Sequence, residues 1–263
     1  MINLILACLL LGSVTGLLAG LFGIGGGLVI VPVLVMLFSA HSFPPDLVMI
    51  MAVASSLAAI ILTAISSVLA HHRLGSLIWS KVWRLTPSIM LGAALGAVVA
   101  KQISTEVLRL ILVVFLVYVG TVMALQIKPK AGNAVQSKPL DALIGLVIGL
   151  LSAIVGIGGG TLTVPYLVRG QFTMLQAVAV ASACGLPIAI AGTISYALLG
   201  WHDVRLPEWS FGYVYLPAFL GVSLTSIFTA PLGAKLAHRL PAATLKRYFS
   251  ILLFIMAVKL MWH

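Results

Sequence analysis

A series of long apolar runs limits what this chain can fold into, because most approach the length that a helix needs to cross a bilayer. About twenty consecutive apolar residues span the hydrocarbon core. Ten runs are found, at about 3–22, 28–39, 47–70, 82–100, 107–126, 140–155, 161–168, 174–199, 211–232 and 243–261. The sequence therefore predicts an all-α polytopic membrane protein with the lipid bilayer as its surroundings.

The shortage of charged residues excludes a soluble protein. Only 8% of the residues are charged and 62% are hydrophobic, whereas a soluble domain carries about 25% charged residues. A soluble enzyme or a nucleic-acid-binding domain is excluded, despite the net charge of +10. The basic excess fits a membrane protein, in which Lys and Arg collect in the cytoplasmic loops. We expect no nucleic-acid partner.

The chain contains a tandem duplication. Gly16–Val35 reads GLLAGLFGIGGGLVIVPVLV, and Gly149–Val168 reads GLLSAIVGIGGGTLTVPYLV in the same register without a gap. A polar stretch rich in Lys, Pro and Gly separates the two copies. The predicted organisation is a first transmembrane repeat at 1–126, a cytoplasmic linker at 127–139 and a second transmembrane repeat at 140–263.

The two repeats are predicted to have inverted topology. Each contains five apolar runs, and an odd number makes the second copy enter the membrane from the opposite side. With the 71–84 loop and the linker placed in the cytoplasm, eleven of the fifteen Lys and Arg residues lie inside, as the positive-inside rule requires. Both termini are then predicted to lie outside. Each repeat would hold one glycine-broken helical hairpin and about three transmembrane helices.

The GIGGG segments predict breaks in the membrane helices. Each Gly lowers helix stability by about 1 kcal/mol relative to Ala, and non-helical backbone at membrane depth persists only inside protein or beside a water-filled cavity. Broken helices at matching places in inverted halves point to a transport site. Helices that begin near Gly27 and Gly160 would offer unpaired N–H groups and a positive dipole end, which suit an oxyanion. The alternative is that GIGGG forms only a tight turn.

Few side chains in the apolar runs can contact a substrate. The candidates beside the glycine segments are hydroxyls and one thiol, with AVAS at 52–55 matching AVAS at 179–182. Those retained as substrate-binding candidates are Ser55, Thr161, Ser182 and Cys184. The alternative for each hydroxyl is a hydrogen bond to its own or a neighbouring helix.

Other small-residue patterns and the histidines have simpler interpretations. The spacings Gly12-x-x-x-Gly16, Gly145-x-x-x-Gly149 and Gly92-x-x-x-Gly96 predict close helix packing. His71 and His72 lack the further ligands that a metal site needs. No Ser/His/Asp, Cys/His or paired-carboxylate arrangement is found. We therefore expect no catalytic residues, no metal, no cofactor and no enzyme activity.

The doubled G-x-G-G-G segment followed by V-P resembles the sulfite exporter TauE/SafE family, also called toluene sulfonate uptake permeases. The resemblance covers essentially the whole chain and implies secondary transport of a small sulfur-containing anion across the bacterial cytoplasmic membrane. Sulfite, thiosulfate, sulfonates and sulfoacetate are examples. By motif, it places substrate contacts at Gly25, Gly26, Gly27, Gly158, Gly159 and Gly160.

We expect the two inverted halves to work by alternating access, with coupling to protons or to the membrane potential as a further expectation. Two alternatives stay open: an anion channel, and a non-transporting membrane partner of a sulfur-handling enzyme.

Overall fold

The computed structural model describes residues 2–22, 26–41, 43–126, 137–237 and 242–262. These residues form ten α-helices and one two-stranded β-hairpin. The helices of the first half are α1 (Ile2–Phe22), α2 (Gly27–Ala40), α3 (Val48–Arg73), α4 (Trp79–Gln102) and α5 (Thr105–Ala124). Those of the second half are α6 (Lys138–Val155), α7 (Gly160–Arg169), α8 (Met174–Gly200), α9 (Leu216–Ala237) and α10 (Ala242–Met261). Six helices, α3, α4, α5, α6, α8 and α9, are long and apolar enough to cross a membrane.

The helix boundaries lie within three residues of the predicted runs except at α9, where both ends lie five residues further along the chain. Helix α9 begins at Leu216 rather than at 211, because β1 (Ser210–Phe211) pairs antiparallel with β2 (Val214–Tyr215) just before it. Helix α6 begins at Lys138, where the Ser137 hydroxyl accepts a hydrogen bond from the third helical residue. The last two residues of the predicted linker thus belong to α6, and 127–136 lie outside the described residues.

The helices pack across the two halves of the chain. Helix α1 packs along α9 and α4 packs along α6, while α3 contacts α8 and α5 contacts α10. Within each half, the short helix lies against the one that follows it, α2 on α3 and α7 on α8. The central pair is α3 and α8, which together supply many of the buried residues.

Glycines allow the close crossings of these helix pairs. A Cβ at Gly149 on α6 would lie 2.1 Å from the carbonyl oxygen of Ile89 on α4. At Gly12 on α1, a Cβ would lie 2.2 Å from the Thr225 hydroxyl oxygen on α9. No side chain fits at such distances, so the backbones meet directly. The predicted role of these small-residue faces in helix packing is confirmed.

Candidate functional site

Each half has a glycine with left-handed backbone directly before its short helix. Gly26 has φ 76° before α2, and Gly159 has φ 72° before α7. Glycine adopts this conformation without the steric penalty of a Cβ. The predicted site residue Gly25 lies outside the described residues. The glycine segments thus end where the short helices begin, at Gly27 and Gly160.

The start of α2 lies directly against the glycine segment of the second half. A Cβ at Gly27 would lie 2.4 Å from the Gly156 carbonyl oxygen and 2.9 Å from the Ile157 Cα. The Ser56 hydroxyl on α3 donates a hydrogen bond of 2.9 Å to the same Gly156 oxygen. Segments more than one hundred residues apart therefore meet in the interior.

The N-terminus of α7 points its first N–H groups toward the second glycine segment. Leu162 and Thr163 donate the first backbone bonds of this helix, both to the Gly159 carbonyl. The N–H groups of Gly160 and Thr161 precede these bonds and carry the positive end of the helix dipole. This is the arrangement that binds anions at helix N-termini in other proteins.

Three buried hydroxyls around this N-terminus have no hydrogen-bond partner among the described residues. They belong to Ser152 on α6, Thr161 on α7 and Ser182 on α8. Ser152 is fully buried, Ser182 is 7% exposed, and the Ser152 oxygen would lie 3.3 Å from a Cβ at Gly159. Leaving a buried hydroxyl unpaired costs about 1–3 kcal/mol, so these three make the α7 N-terminus a candidate site for a polar ligand, although Thr193, Ser210 and Ser223 are also buried and unpaired elsewhere in the described residues.

Ser182 lies level with Thr161. Helices α7 and α8 are joined by the turn at 170–173, and a Cβ at Gly185 would lie 2.8 Å from the Gly158 carbonyl oxygen. In this antiparallel pair, Thr161 follows Gly158 by three residues and Ser182 precedes Gly185 by three residues, so Thr161 and Ser182 correspond in depth. The candidates Gly158, Gly160, Thr161 and Ser182 are thus brought to one depth of the structure.

The corresponding region of the first half is less polar. The repeat places Ala19 opposite Ser152 and Leu28 opposite Thr161. The Ser55 hydroxyl oxygen, which matches Ser182, accepts a hydrogen bond of 2.9 Å from the Tyr215 N–H. Cys184 is fully buried on α8, beside Gly185. The unpaired hydroxyls are therefore concentrated on the second half.

A buried cluster of charges lies at the other end of α7, and the sequence analysis did not single it out. Asp141 in the first turn of α6 is fully buried, and one of its oxygens lies 2.6 Å from the Lys81 Nζ. Its second oxygen lies 2.5 Å from the Arg84 Nε. The Tyr166 hydroxyl on α7 donates a hydrogen bond to Asp141. The repeat alignment contains a signal for this cluster, because Asp141 occupies the position that Cys8 has in the first half, so one copy has a charge where the other has none.

The opposite end of α4 carries a second group of charges around an open cavity of about 700 Å³. Its lining includes Asp46, Lys101, Arg109 and Arg205. Arg205 forms ion pairs with Asp46 and, at 2.8 Å, with Asp203. Hydrogen bonds from the Arg205 guanidinium lower the pKa of the Asp203 carboxyl. We call the two ends of the bundle the Lys81 end and the Arg205 end.

Comparison with known proteins identifies the family of this chain. The sequence model of the family described as Sulfite exporter TauE/SafE matches residues 8–260. The chain belongs to this family. It is a multi-pass membrane protein of a transporter family, with six helices suited to span a membrane among its described residues.

Relatives of the TauE/SafE chain carry transporter names. A probable membrane transporter protein of Haemophilus influenzae is 41% identical and covers 99% of both chains. Probable membrane transporter protein MJ0441 of Methanocaldococcus jannaschii is 26% identical over 95% of this chain and 92% of its own. Probable membrane transporter protein YunE of Bacillus subtilis is 23% identical over 96% of each chain. No solved structure matches.

Proposed function

We propose that this protein is a secondary transporter for a small sulfur-containing anion such as sulfite, thiosulfate, a sulfonate or sulfoacetate. The observation that carries the proposal is the set of unpaired buried hydroxyls of Ser152, Thr161 and Ser182 beside the N-terminus of α7. Hydroxyls and helix N–H groups together offer donors without a full positive charge, which suits a small oxyanion that must leave again. Membership of the TauE/SafE family supports the sulfur chemistry.

The proposed site lies between the two glycine segments, with the second half supplying most of its polar contacts. On the first half, Gly27 lies directly against the Gly156 carbonyl oxygen, and Gly26, which precedes it, lies against Thr15 of α1. On the second half, Gly158, Gly159 and Gly160 let the backbone approach the anion without a Cβ in the way. The Ser55 and Cys184 candidates lie on the two central helices that flank the segments.

The proposed inverted repeats are supported by helix packing that comes in matched pairs. In the repeat, helices α1 to α5 correspond in order to α6 to α10. The α1–α9 pair therefore corresponds to the α6–α4 pair, and the α2–α3 pair corresponds to the α7–α8 pair. The loops that follow the short helices also lie at opposite ends of α4. The Thr105 hydroxyl just beyond α4 donates to the Asp46 carbonyl, whereas Phe172 lies near Lys81 in its first turn.

Cysteine accessibility tests this topology. We expect a single cysteine at His41 and one at Gln171, the turns that end α2 and α7, to react with an impermeant maleimide from opposite sides of the membrane. The native Cys8 and Cys184 are both fully buried, so labelling of the wild type should be low and serves as the background. Labelling of both variants from the same side would refute inverted repeats.

Orientation and mechanism follow from the charge distribution. We place the Lys81 end and the linker in the cytoplasm of a bacterial cell, with the Arg205 end and both termini outside, because most Lys and Arg then lie inside. Alternating access would expose the anion first to one end and then to the other as the two halves rock. Moving one net charge against 100 mV requires about 2.3 kcal/mol, so coupling to protons or to the potential is part of the proposal.

Counterflow in proteoliposomes tests the proposed function. Vesicles containing the purified protein and unlabelled sulfite should take up radiolabelled sulfite faster than vesicles without internal sulfite. Thiosulfate, a sulfonate and sulfate serve as competitors that define the substrate class. Uptake that internal sulfite does not accelerate would favour an anion channel. Absence of flux with every sulfur anion, from protein shown to be folded, would contradict transport by this chain and favour a partner of a sulfur-handling enzyme.

A further inference from the structure

The charge cluster at the Lys81 end contains more positive than negative charge. Lys81 and Arg84 both face the single carboxylate of Asp141. Of the four remaining acids, Asp46 and Glu106 line the cavity at the Arg205 end, Asp203 pairs with Arg205 there, and Glu208 follows Arg205 by three residues in the same loop. The single carboxylate of Asp141 is therefore shared by two cations, and Lys81 and Arg84 together can hold an anion in its place.

The cluster is enclosed by aromatic rings yet remains open on one side. The Lys81 Nζ lies 5.5 Å from the centre of the Tyr166 ring and 5.8 Å from that of Phe172. The Lys81 side chain is only 5% exposed, whereas Arg84 is 33% exposed. An anion arriving from solvent would therefore meet Arg84 before it reaches Lys81.

At the matching positions of the α1–α9 crossing, the repeat carries no charged residue. In the alignment that matches Gly12 with Gly145, Cys8 of α1 corresponds to Asp141 of α6. In the alignment that matches Gly96 with Gly233, Gly221 of α9 corresponds to Arg84 of α4. There, a Cβ at Gly221 would lie 2.8 Å from the Cβ of Cys8, so the same helix crossing is closed by small apolar contacts. The α4–α6 crossing thus differs from the matching α1–α9 crossing by the charges of Arg84 and Asp141.

The cluster is connected to the proposed substrate site by one short helix. Tyr166, which donates to Asp141, follows Gly160 by six residues on α7, a rise of about 9 Å. The Tyr166–Asp141 bond also holds α7 against α6. Any group that takes the place of Asp141 beside Lys81 and Arg84 would release α7 from that contact.

We propose that Lys81 and Arg84 form a second anion site, at the Lys81 end of the path, which Asp141 occupies in the described state and the transported anion occupies in exchange. This inference rests on the proposed transport of a sulfur oxyanion and adds where the anion binds after it leaves the α7 N-terminus. Asp141 acts as an internal competitor, so anion binding and release of α7 are the same event.

Sulfite binding to the purified full-length protein, measured by calorimetry, tests the proposal through effects of opposite sign. Lys81→Met removes a charge-assisted contact and should raise the Kd for sulfite about tenfold or more. Asp141→Asn removes the competitor and should lower the Kd severalfold while slowing counterflow, because the anion is retained. Arg73→Gln removes an exposed positive charge from the last turn of α3 and should leave the Kd within about twofold.

Melting temperatures without sulfite separate binding from folding. The double variant Lys81→Met/Asp141→Leu replaces the buried pair with apolar groups, which is often neutral or stabilising, and it should fold yet keep the raised Kd. Wild-type affinity and counterflow in this double variant would overturn the proposal, as would Lys81→Met and Asp141→Asn shifting the Kd in the same direction. A wild-type protein that neither binds nor transports sulfite would instead contradict the proposed function itself.

Discussion

Gly27→Val should abolish most transport and lower the melting temperature of the protein. A Cβ at this position would lie 2.4 Å from the Gly156 carbonyl oxygen and 2.9 Å from the Ile157 Cα. Both neighbours are backbone atoms and cannot rotate away, so α2 and the second glycine segment must separate. Overpacking of this kind typically costs about 1–3 kcal/mol, which corresponds to a loss of about 5- to 150-fold in the population of the native arrangement.

The measurement is counterflow per folded molecule, together with the melting temperature in detergent. Ala40→Val introduces the same side chain at an exposed position on the same helix and should leave both unchanged, which makes it the control. Gly27→Ala adds one methyl group and should give an intermediate loss. Wild-type transport and melting in Gly27→Val would show that the contact between the two glycine segments has no importance for the fold or the site.

Thr161→Val and Ser182→Ala should reduce transport strongly without destabilising the protein. Neither hydroxyl has a hydrogen-bond partner in the described residues, so removing it costs no internal hydrogen bond and relieves an unpaired buried group. A hydrogen bond to a charged ligand contributes about 1.5–3 kcal/mol. We therefore expect the half-saturating sulfite concentration to rise about tenfold or more, while the melting temperature stays constant or rises.

Thr163→Val is the control for this pair. Its hydroxyl donates a bond of 2.9 Å to the Gly159 carbonyl within its own helix, so its removal should lower stability slightly and leave sulfite affinity near the wild-type value. Ser152→Ala should behave like Ser182→Ala, because the Ser152 hydroxyl is also buried and unpaired. Unchanged affinity in Thr161→Val, Ser182→Ala and Ser152→Ala would remove the α7 N-terminus as the substrate site.

The site was only partly foreseeable, and particular residues show why. The glycine segments and the hydroxyls of Thr161 and Ser182 stand out in the sequence because the duplication marks them. Ser152 does not, since a lone serine in an apolar run is commonplace, and only its position beside Gly159 distinguishes it. Ser55 matched Ser182 in the repeat, yet the structure pairs its oxygen with the Tyr215 N–H.

The charge cluster shows the same limit more clearly. Lys81 and Arg84 look like ordinary topological charges at a helix start, and Asp141 looks like a first-turn acid. Their contact joins α4 to α6 across 60 residues, and no local pattern indicates that distance. Asp141 lies in the first turn of α6, where an acid is usually exposed, yet that residue is fully buried.

The sequence alone determined the helices, because hydrophobic length and glycine breaks are local properties of a chain that must satisfy its backbone inside a bilayer. It also indicated the close-packing faces through the spacing of small residues. Which helices pair, and in what register, was decided only by the tertiary structure. In a membrane the lipid is as apolar as the core, so hydropathy does not distinguish the buried Leu57 from the exposed Leu10 and Phe228. Contacts between distant backbones, such as Gly27 against Gly156, then select one arrangement.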